Sequence, residues 1–268
     1  MLVDHPCHLA CPQFAEDRAG VMARAAAAGV GVAVTISTRV RRLPELLAIA
    51  AAHDNVFCSV GTHPHQADEE TDITTDELVR LAAHPKVVAI GEAGLDYFYK
   101  KSTPENQAEG FRRHIRAARI TGLPLEIHTR DAEADTARIL AEEHAAGGPF
   151  PAILPCYTGG LDLARHALGL GLYVSFSGVV SFKKSDALRA VANAVPLDRL
   201  LVETDAPFLA PEPHRGRTNE PAFVRHTAAA LATARGVTFD ELAAATTANF
   251  FRLFTKVPRS FAPAGMPA

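Results

Sequence analysis

Eight short apolar runs recur along the chain, and each is followed by a longer stretch with helical spacing. The runs are rich in valine, isoleucine and leucine, and polar residues do not alternate with them. Such runs are typical of parallel strands that are covered by helices. The predicted strands span residues 2–5, 31–37, 56–61, 87–92, 125–128, 152–156, 172–177 and 200–204. This alternation predicts an α/β fold around a parallel sheet.

The stretches between the runs carry helix start and stop signals. Thr103 is a capping residue before Pro104, which suits the first position of a helix. Gly122 follows the same helical stretch and is typical of a helix end. Thr238 and Glu241 have the spacing of a capping box at the start of a last helix. These signals support helices between the strands.

The number of units selects between two architectures. Eight strand–helix units in 268 residues match a closed (β/α)8 barrel, which typically takes about 250 residues. An open, doubly wound sheet is the alternative, but no glycine-rich dinucleotide-binding motif follows the first run. We therefore predict a single (β/α)8 TIM barrel over residues 1–256. Residues 257–268 are predicted to form a disordered tail.

Composition excludes several classes of protein. A formal net charge of −3 excludes a protein that coats nucleic acid through bulk positive charge. No apolar run reaches the ~18–20 residues that span a bilayer. The first nine residues contain Asp4, His5 and His8, where a signal peptide has a basic end and an apolar run. Four cysteines in a chain of this length do not indicate a disulfide framework. We expect a cytoplasmic protein with reduced thiols and no membrane partner.

Histidines and carboxylates follow several predicted strands. In a closed barrel the carboxyl ends of the strands surround one mouth, where active sites are built. The side chains expected there are His5, His8, His63, His65, Glu92, Asp96, His128, Arg130 and Asp205. Imidazole and carboxylate groups together are ligands for a divalent metal. A metal at the mouth would make hydroxide from bound water near neutral pH.

Three long motifs at these strand ends resemble a known family. They are Gly91-Glu92-Ala93-Gly94-Leu95-Asp96-Tyr97, Leu123-Pro124-Leu125-Glu126-Ile127-His128-Thr129-Arg130-Asp131-Ala132, and Glu203-Thr204-Asp205-Ala206-Pro207-Phe208-Leu209-Ala210-Pro211, followed by Arg215-Gly216 and Asn219-Glu220-Pro221. With these residues the chain resembles the TatD family of metal-dependent deoxyribonucleases, within the amidohydrolase-like barrels. The resemblance runs from Asp4 to Phe254 and implies a TIM barrel of the metallo-dependent hydrolase type.

The resemblance implies metal ligands at six positions, of which four match. His8, Glu92, His128 and Asp205 stand where the family has ligands. The other two family positions, both histidines, hold Pro6 and Pro155. Proline has no lone pair for a metal. One metal position keeps His8, Glu92 and Asp205, whereas the other keeps only Glu92 and His128. One divalent ion is therefore expected, Mg²⁺, Mn²⁺ or Zn²⁺, with two ions as the alternative.

Neighbouring residues are weaker substitutes for the lost histidines. His5 lies next to Pro6, but strand alternation should turn it away from His8. A bulge at Pro6 is the alternative, because it would bring His5 round. Cys7 and Cys156 each follow one of the prolines and are expected to be small core residues that face away.

The resemblance also implies residues that contact the substrate. His63 and His65 stand at the mouth in the family, and the alternative is a rigid turn at Pro64 with solvated histidines. Arg130, Arg215 and Asn219 match family positions near bound phosphate. Arginine suits phosphate oxygens through its planar guanidinium, although an arginine at a barrel mouth can equally pair with a carboxylate.

The predicted function is metal-dependent hydrolysis of phosphodiester bonds in DNA, with single strands or ends as substrate. Glu92 and Asp205 are the predicted catalytic residues, and the resemblance implies that Asp205 takes a proton from the attacking water. Two alternatives remain: a catalytically impaired barrel that acts as a binding or scaffold protein, and a one-metal hydrolase of a small ester, amide or lactone. No stable protein partner is predicted.

Overall fold

Eight parallel strands form one sheet in chain order in the computed structural model, which describes residues 1–266. The strands are β1 (Leu2–Cys7), β2 (Val30–Thr35), β3 (Val56–Val60), β4 (Val87–Asp96), β5 (Leu125–Arg130), β6 (Ala152–Leu154), β7 (Tyr173–Phe176) and β8 (Leu200–Val202). Each predicted apolar run overlaps one of them. The sheet curls into a nearly closed barrel, as the eight strand–helix units predicted.

Nine helices pack around the strands within the described residues. They are α1 (Arg18–Ala27), α2 (Leu43–Ala51), α3 (Thr75–Ala82), α4 (Pro104–Thr121), α5 (Glu133–Gly147), α6 (Leu161–Gly169), α7 (Asp186–Ala194), α8 (Val224–Arg235) and α9 (Phe239–Leu253). Helix α4 begins after Thr103 and ends before Gly122, which adopts a left-handed φ of 70°. Thr238 and Glu241 form a complete capping box at α9. The bounds of α4 and the capping box of α9 are confirmed, whereas the Thr103 hydroxyl donates to Asp68 and makes no capping bond.

The barrel closes between β8 and β1 largely through one side chain. The Asp4 carboxylate accepts the backbone N–H of Thr204 at 2.7 Å and its hydroxyl at 2.8 Å. The N–H of Asp205, just after β8, donates to the carbonyl of Pro6 in β1 at 3.1 Å, and the N–H of His8, just after β1, donates to the carbonyl of Ala206 at 2.7 Å. These bonds bring the chain segments after β1 and β8 together at the mouth.

Two apolar layers place the polar mouth at one end of the barrel. The outer layer joins the strands to the helices. The inner layer includes Val3, Val32, Phe57, Ile153, Leu201, Phe250, Phe251 and Phe254. Because three of these phenylalanines come from the end of α9 and the residue after it, the chain after α9 packs against the barrel interior.

Among residues 1–266, none of the helices is long and apolar enough to cross a bilayer.

The C-terminal residues differ from the predicted disordered tail. Val257 is buried, with 1% of its surface exposed. The Phe261 ring packs edge-on against Phe57, with centroids 5.8 Å apart. Residues 257–266 therefore pack on the barrel, because their apolar side chains cover the inner layer. Pro267 and Ala268, the rest of the predicted tail, lie outside the described residues.

Candidate metal centre

Glu92 and His128 face each other across the β4–β5 pair. Both strands continue further into the mouth than predicted, and residue 94 of β4 pairs with His128. His128 Nδ1 donates to Glu92 Oε1 at 2.9 Å, and its Nε2 donates to Asp96 Oδ2 at 3.0 Å. Burial alone would lower the pKa of His128, but its bonds to Asp96 and Glu92 raise that pKa to about 9. Without a metal, His128 is an imidazolium between two carboxylates.

Glu92 is held as a carboxylate in the same cluster. Burial would raise its pKa, but the hydrogen bond from His128 and the positive potential of the surrounding histidines lower it to about 2. Its side chain is 12% exposed. A charged carboxylate at this depth is stable only with close cations. Glu92 is therefore suited to hold a cation.

His8 and Asp205 form a second pair across the closure of the barrel. His8 Nε2 donates to Asp205 Oδ1 at 3.1 Å, and both side chains keep a small exposed fraction. Burial would lower the pKa of His8, but the bond to Asp205 and the charges of Asp205 and Glu92 raise it. Because Glu92 raises the pKa of His8, the two pairs are electrostatically coupled.

The structure arranges the four predicted ligands as two pairs, with an additional histidine beside one of them. Among residues 1–266, the metal-binding atoms that lie within 4.8 Å of one another belong to His63, Glu92 and His128. His63 Nε2 lies 3.2 Å from His128 Nδ1. By position alone, His63 would be the third ligand of one ion.

The hydrogen bonds of His63 assign it a different role. Its Nδ1 accepts the backbone N–H of His65 at 3.1 Å, so the proton of the neutral ring lies on Nε2. Burial, and then the positive charge of His128, lower the pKa of His63 well below its usual range. His63 is therefore a neutral hydrogen-bond donor whose Nε2–H lies within reach of the Glu92 carboxylate, since His128 Nδ1 carries its own proton and cannot accept.

The residues at the mouth fit a divalent ion. Metal-bound histidines usually direct one nitrogen at the ion and donate the other N–H to a carboxylate or carbonyl. His128 has this arrangement, because Asp96 holds Nε2 and leaves Nδ1 facing Glu92. In His63, by contrast, the nitrogen that faces away from the site accepts a backbone N–H and does not donate to a carboxylate or carbonyl. The ion would thus be held by Glu92 and His128, with His8 and Asp205 across the mouth. Imidazole and carboxylate donors suit Zn²⁺ or Mn²⁺.

His5 does face the barrel interior, contrary to the expected alternation. The β1–β2 pairing is irregular between Asp4 and Cys7, and this irregularity turns His5 inwards. Its Nε2 donates to Glu126 Oε1 at 2.5 Å, and its ring packs edge-on against Phe254 at 4.3 Å. His5 is fully buried and its Nε2 is bound to Glu126, while its Nδ1 has no hydrogen-bond partner in the described part of the chain. It therefore does not replace the imidazole that is missing at position 6.

Cys156 also departs from its predicted position. It adopts a left-handed φ of 43°, and its thiol lies 3.1 Å from Ser177 Oγ with a partly exposed surface. Burial, followed by the negative charges of Asp205 and Glu203, raises the pKa of this thiol well above its usual value. Cys156 thus faces the mouth as a protonated thiol, which is a poor metal ligand.

The predicted substrate residues fall into two groups. His65 and Arg130 lie on the rim: His65 Nε2 donates to Asp96 Oδ2 at 2.8 Å, and Arg130 is exposed. Arg215 is also exposed and lies over the ring of Phe182. Asn219 is fully buried, and we correct its predicted role.

Asn219 shapes the chain after β8. Its Nδ2 donates to the carbonyls of Thr204 and Phe208 at 2.9 and 2.6 Å. Its Oδ1 accepts the N–H of Glu220 at 3.0 Å. With its amide used in this way and no exposed surface, Asn219 holds the loop and does not contact substrate.

Asp96 was expected at the mouth, but the sequence indicated no role for it in the metal centre. It is buried, and its carboxylate accepts from both His65 and His128. Hydrogen bonds, the largest from His128, outweigh burial and lower its pKa far below the usual range. Its place at the end of the motif that begins with Gly91 was the available signal. Its role became visible only from its contacts.

Comparison with known proteins shows which family the sequence and the fold match. The family described as TatD related DNase matches residues 3–255. The uncharacterised metal-dependent hydrolase YcfH of Escherichia coli (strain K12) is 44% identical over 258 residues, which cover 94% of this chain and 95% of YcfH. A protein of Enterobacter lignolyticus named 3'-5' ssDNA/RNA exonuclease TatD is 36% identical, over 94% of this chain and 98% of its own length. The crystal structure of YJJV, a TatD homologue of E. coli K12, has a TM-score of 0.87 at 28% identity and covers 96% of this chain and 98% of YJJV.

Proposed function

The chain belongs to the TatD family of metal-dependent hydrolases, and from that premise we propose that it cleaves phosphodiester bonds in DNA. The observation that carries the proposal is the orientation of His128, whose Nδ1 faces Glu92 while Asp96 holds its other nitrogen. The family name and the exonuclease name of one relative support a nucleic-acid substrate.

We propose His8, Glu92, His128 and Asp205 as the ligands of one divalent ion. When bound, the ion supplies a Lewis acid that makes water nucleophilic near neutral pH. Two ligand histidines of the family are replaced by Pro6 and Pro155, which favours one ion over two. Mn²⁺, Zn²⁺ and Mg²⁺ are the candidates.

The remaining side chains have distinct roles in the proposed reaction. Asp205 accepts a proton from the attacking water, since it lies at the mouth with part of its carboxylate exposed. His63 donates Nε2–H to a phosphate oxygen. Arg130, exposed at the rim, and Arg215, exposed over Phe182, neutralise phosphate charge. His65 orients Asp96 and, through it, His128.

The test combines metal content with release of nucleotides from a single-stranded DNA oligomer. Glu92→Gln is the informative variant, because it removes the carboxylate that faces His128. Glu109→Gln is the matched control, since Glu109 is exposed on α4. We expect metal and nucleotide release in the parent and the control, and neither in Glu92→Gln. A parent that releases no nucleotides with Mn²⁺ in excess contradicts the proposal.

A second candidate function rests on the two prolines. A barrel that has lost two ligand histidines can persist as a binding or scaffold protein. Absence of both bound metal and nucleotide release would favour it. Hydrolysis of a small ester, amide or lactone, without DNA cleavage, would instead favour a one-metal hydrolase of small molecules.

A further inference from the structure

Exposed aromatic side chains gather at the mouth. Within the described residues, the large apolar side chains with more than a third of their surface exposed are Met1, Phe98, Tyr99, Ile120, Phe208 and Leu209. Four of these six follow β4 or β8, which carry Glu92 and precede Asp205. Exposed aromatic rings concentrated beside an active site mark a binding surface.

One rim carries a pair of rings with a cation over them. Phe98 and Tyr99 are 52% and 49% exposed, and their rings meet edge-on at 4.8 Å. The Arg130 guanidinium lies over them, 4.2 Å from the Phe98 centroid and 4.8 Å from the Tyr99 centroid. Tyr99 also meets His65 edge-on at 5.2 Å. We call Phe98, Tyr99 and Arg130 the aromatic shelf.

The other rim carries a single exposed ring. Phe208 is 48% exposed and meets His8 edge-on at 5.5 Å. Its backbone is fixed, because its N–H donates to the backbone carbonyl of Asp205 at 3.0 Å and its own carbonyl accepts from Asn219 Nδ2 at 2.6 Å. An exposed ring on either side therefore contacts a histidine of the site, His65 on one side and His8 on the other.

The hydrogen bonds under these rings hold them in place. Tyr99 N–H donates to Asp96 Oδ1 at 2.8 Å, so the shelf is anchored to the same carboxylate that orients His128. Fixed, exposed aromatic faces favour a flat partner that can stack on them. They flank the pairs Glu92–His128 and His8–Asp205, so the partner must extend across the metal centre.

The charge beside the shelf indicates that the flat partner is anionic. Lys100 and Lys101 follow Tyr99 and have no acidic partner among residues 1–266. They line a cleft of about 510 Å³ that reaches Asp96 and the start of α4 and also includes Asp68, whose carboxylate is occupied by Thr103 and Asn106. A flat aromatic group joined to a phosphate is a nucleotide. In duplex DNA the base faces are covered by neighbouring bases, whereas unpaired bases can stack on protein rings.

We propose that the aromatic shelf and Phe208 stack the bases on either side of the scissile phosphodiester. This inference rests on the proposed function, since it assumes that the scissile bond lies at the metal centre. Lys100 and Lys101 bind the phosphate next to the shelf. Stacking of this kind depends little on base identity, so cleavage should show little sequence preference.

The experiment compares oligomers that have bases with oligomers of the same length whose bases are removed. The variants are the double variant Phe98→Ala/Tyr99→Ala, Phe208→Ala, and the control Ile120→Ala, which removes an exposed apolar side chain on α4 away from the mouth. For the oligomer with bases, we expect KM to rise roughly 5- to 150-fold per lost stack. The KM of the abasic oligomer and the kcat of both should change little, and Ile120→Ala should resemble the parent.

Binding of an oligomer that contains 2-aminopurine separates this inference from the proposed function. Stacking quenches its fluorescence in the parent, and the two mouth variants should lose that quenching. If the parent binds and quenches but does not cleave, stacking is supported and the proposed hydrolysis fails. If the parent cleaves both oligomers with the same KM, or the mouth variants retain the parent KM, the stacking proposal is overturned and hydrolysis stands. Absence of binding overturns both.

Discussion

Asp96 binds the nitrogen of His128 that faces away from Glu92: its Oδ2 lies 3.0 Å from His128 Nε2, and this bond leaves His128 Nδ1 directed towards the mouth. The carboxylate is buried at the end of β4, while the imidazole comes from the neighbouring strand β5. Because β4 and β5 stay paired up to this point, backbone hydrogen bonds fix the distance between the two side chains. The orientation of the proposed ligand is therefore built into the sheet.

Asp96→Asn should weaken metal binding about 10- to 100-fold, because a carboxylate behind a ligand histidine fixes its orientation and raises its basicity. Calorimetric titration of the metal-free protein with Mn²⁺ measures the change. Asp135→Asn is the control, since Asp135 accepts from Tyr97 away from His128. Equal affinity in Asp96→Asn and Asp135→Asn would remove Asp96 from the metal centre.

Metal affinity should depend on pH through His128. Its pKa is raised to about 9 in the metal-free protein, so at pH 7 an ion must displace a proton from Nδ1. Affinity should rise about tenfold per pH unit between roughly pH 7 and 9 and then level off. Titrations in buffers of different ionisation enthalpy should report the released proton. An affinity that does not change over this range would contradict the assignment of His128.

The raised pKa of His128 also makes the free energy of unfolding of the metal-free protein depend on pH. A raised histidine pKa means that the folded state favours the protonated ring. This stabilisation is complete below the usual value of 6.5 and is lost as the pH rises through about 9. Metal-free protein should therefore unfold more easily in urea at pH 10 than at pH 6.

His63 should act as a hydrogen-bond donor and not as a ligand. His63→Gln keeps an N–H donor, whereas His63→Ala removes it. We expect both variants to bind metal like the parent, while kcat falls about 100- to 1000-fold in His63→Ala, as for loss of one donor to a developing charge. His63→Gln should recover part of that loss. A drop in metal content in both variants would instead make His63 a ligand.

The strand pattern of this chain could be predicted from sequence because buried parallel strands are continuously apolar. The ends of β4 and β5 could not, since Gly94, Asp96 and Arg130 do not resemble strand residues. They remain in the sheet because the β4–β5 pairing continues to Asp96. Polar residues at the strand ends predicted where the mouth lies. They could not predict which of these side chains contact each other, because polar residues at strand ends occur with many different contacts.

The errors in the site have a common physical origin. The direction of His5 depends on an irregularity in the β1–β2 pairing, and the burial of Asn219 depends on carbonyls from another part of the same loop. Neither is encoded in local spacing. The tautomer of His63 depends on the N–H of His65, which only the backbone conformation reveals.

Restoring the two missing histidines should restore a second ion. Pro155→His would add an imidazole beside Glu92 and His128, and Pro6→His would add one beside His8. The double variant should bind two Mn²⁺ ions and release nucleotides faster than the parent, because two metals stabilise both the attacking and the leaving oxygen. Pro258→His is the control, since residue 258 is exposed beyond α9.

The double variant also tests whether the parent already has a complete set of metal ligands. Metal content and initial rates of the parent and both variants should be measured together in excess Mn²⁺. Equal rates in the parent and the double variant would show that the parent needs no histidine at positions 6 and 155. The proposed ligand set would then be incomplete.

The most direct test is the anomalous scattering of Mn²⁺ soaked into a crystal of the parent. One peak should appear at the mouth, within about 2.0–2.3 Å of nitrogen or oxygen atoms from His8, Glu92, His128 and Asp205. His63 Nε2 should lie outside the coordination shell. No peak at the mouth, or a peak coordinated by His63 and not by His8 and Asp205, would contradict a metal-dependent hydrolase with this centre.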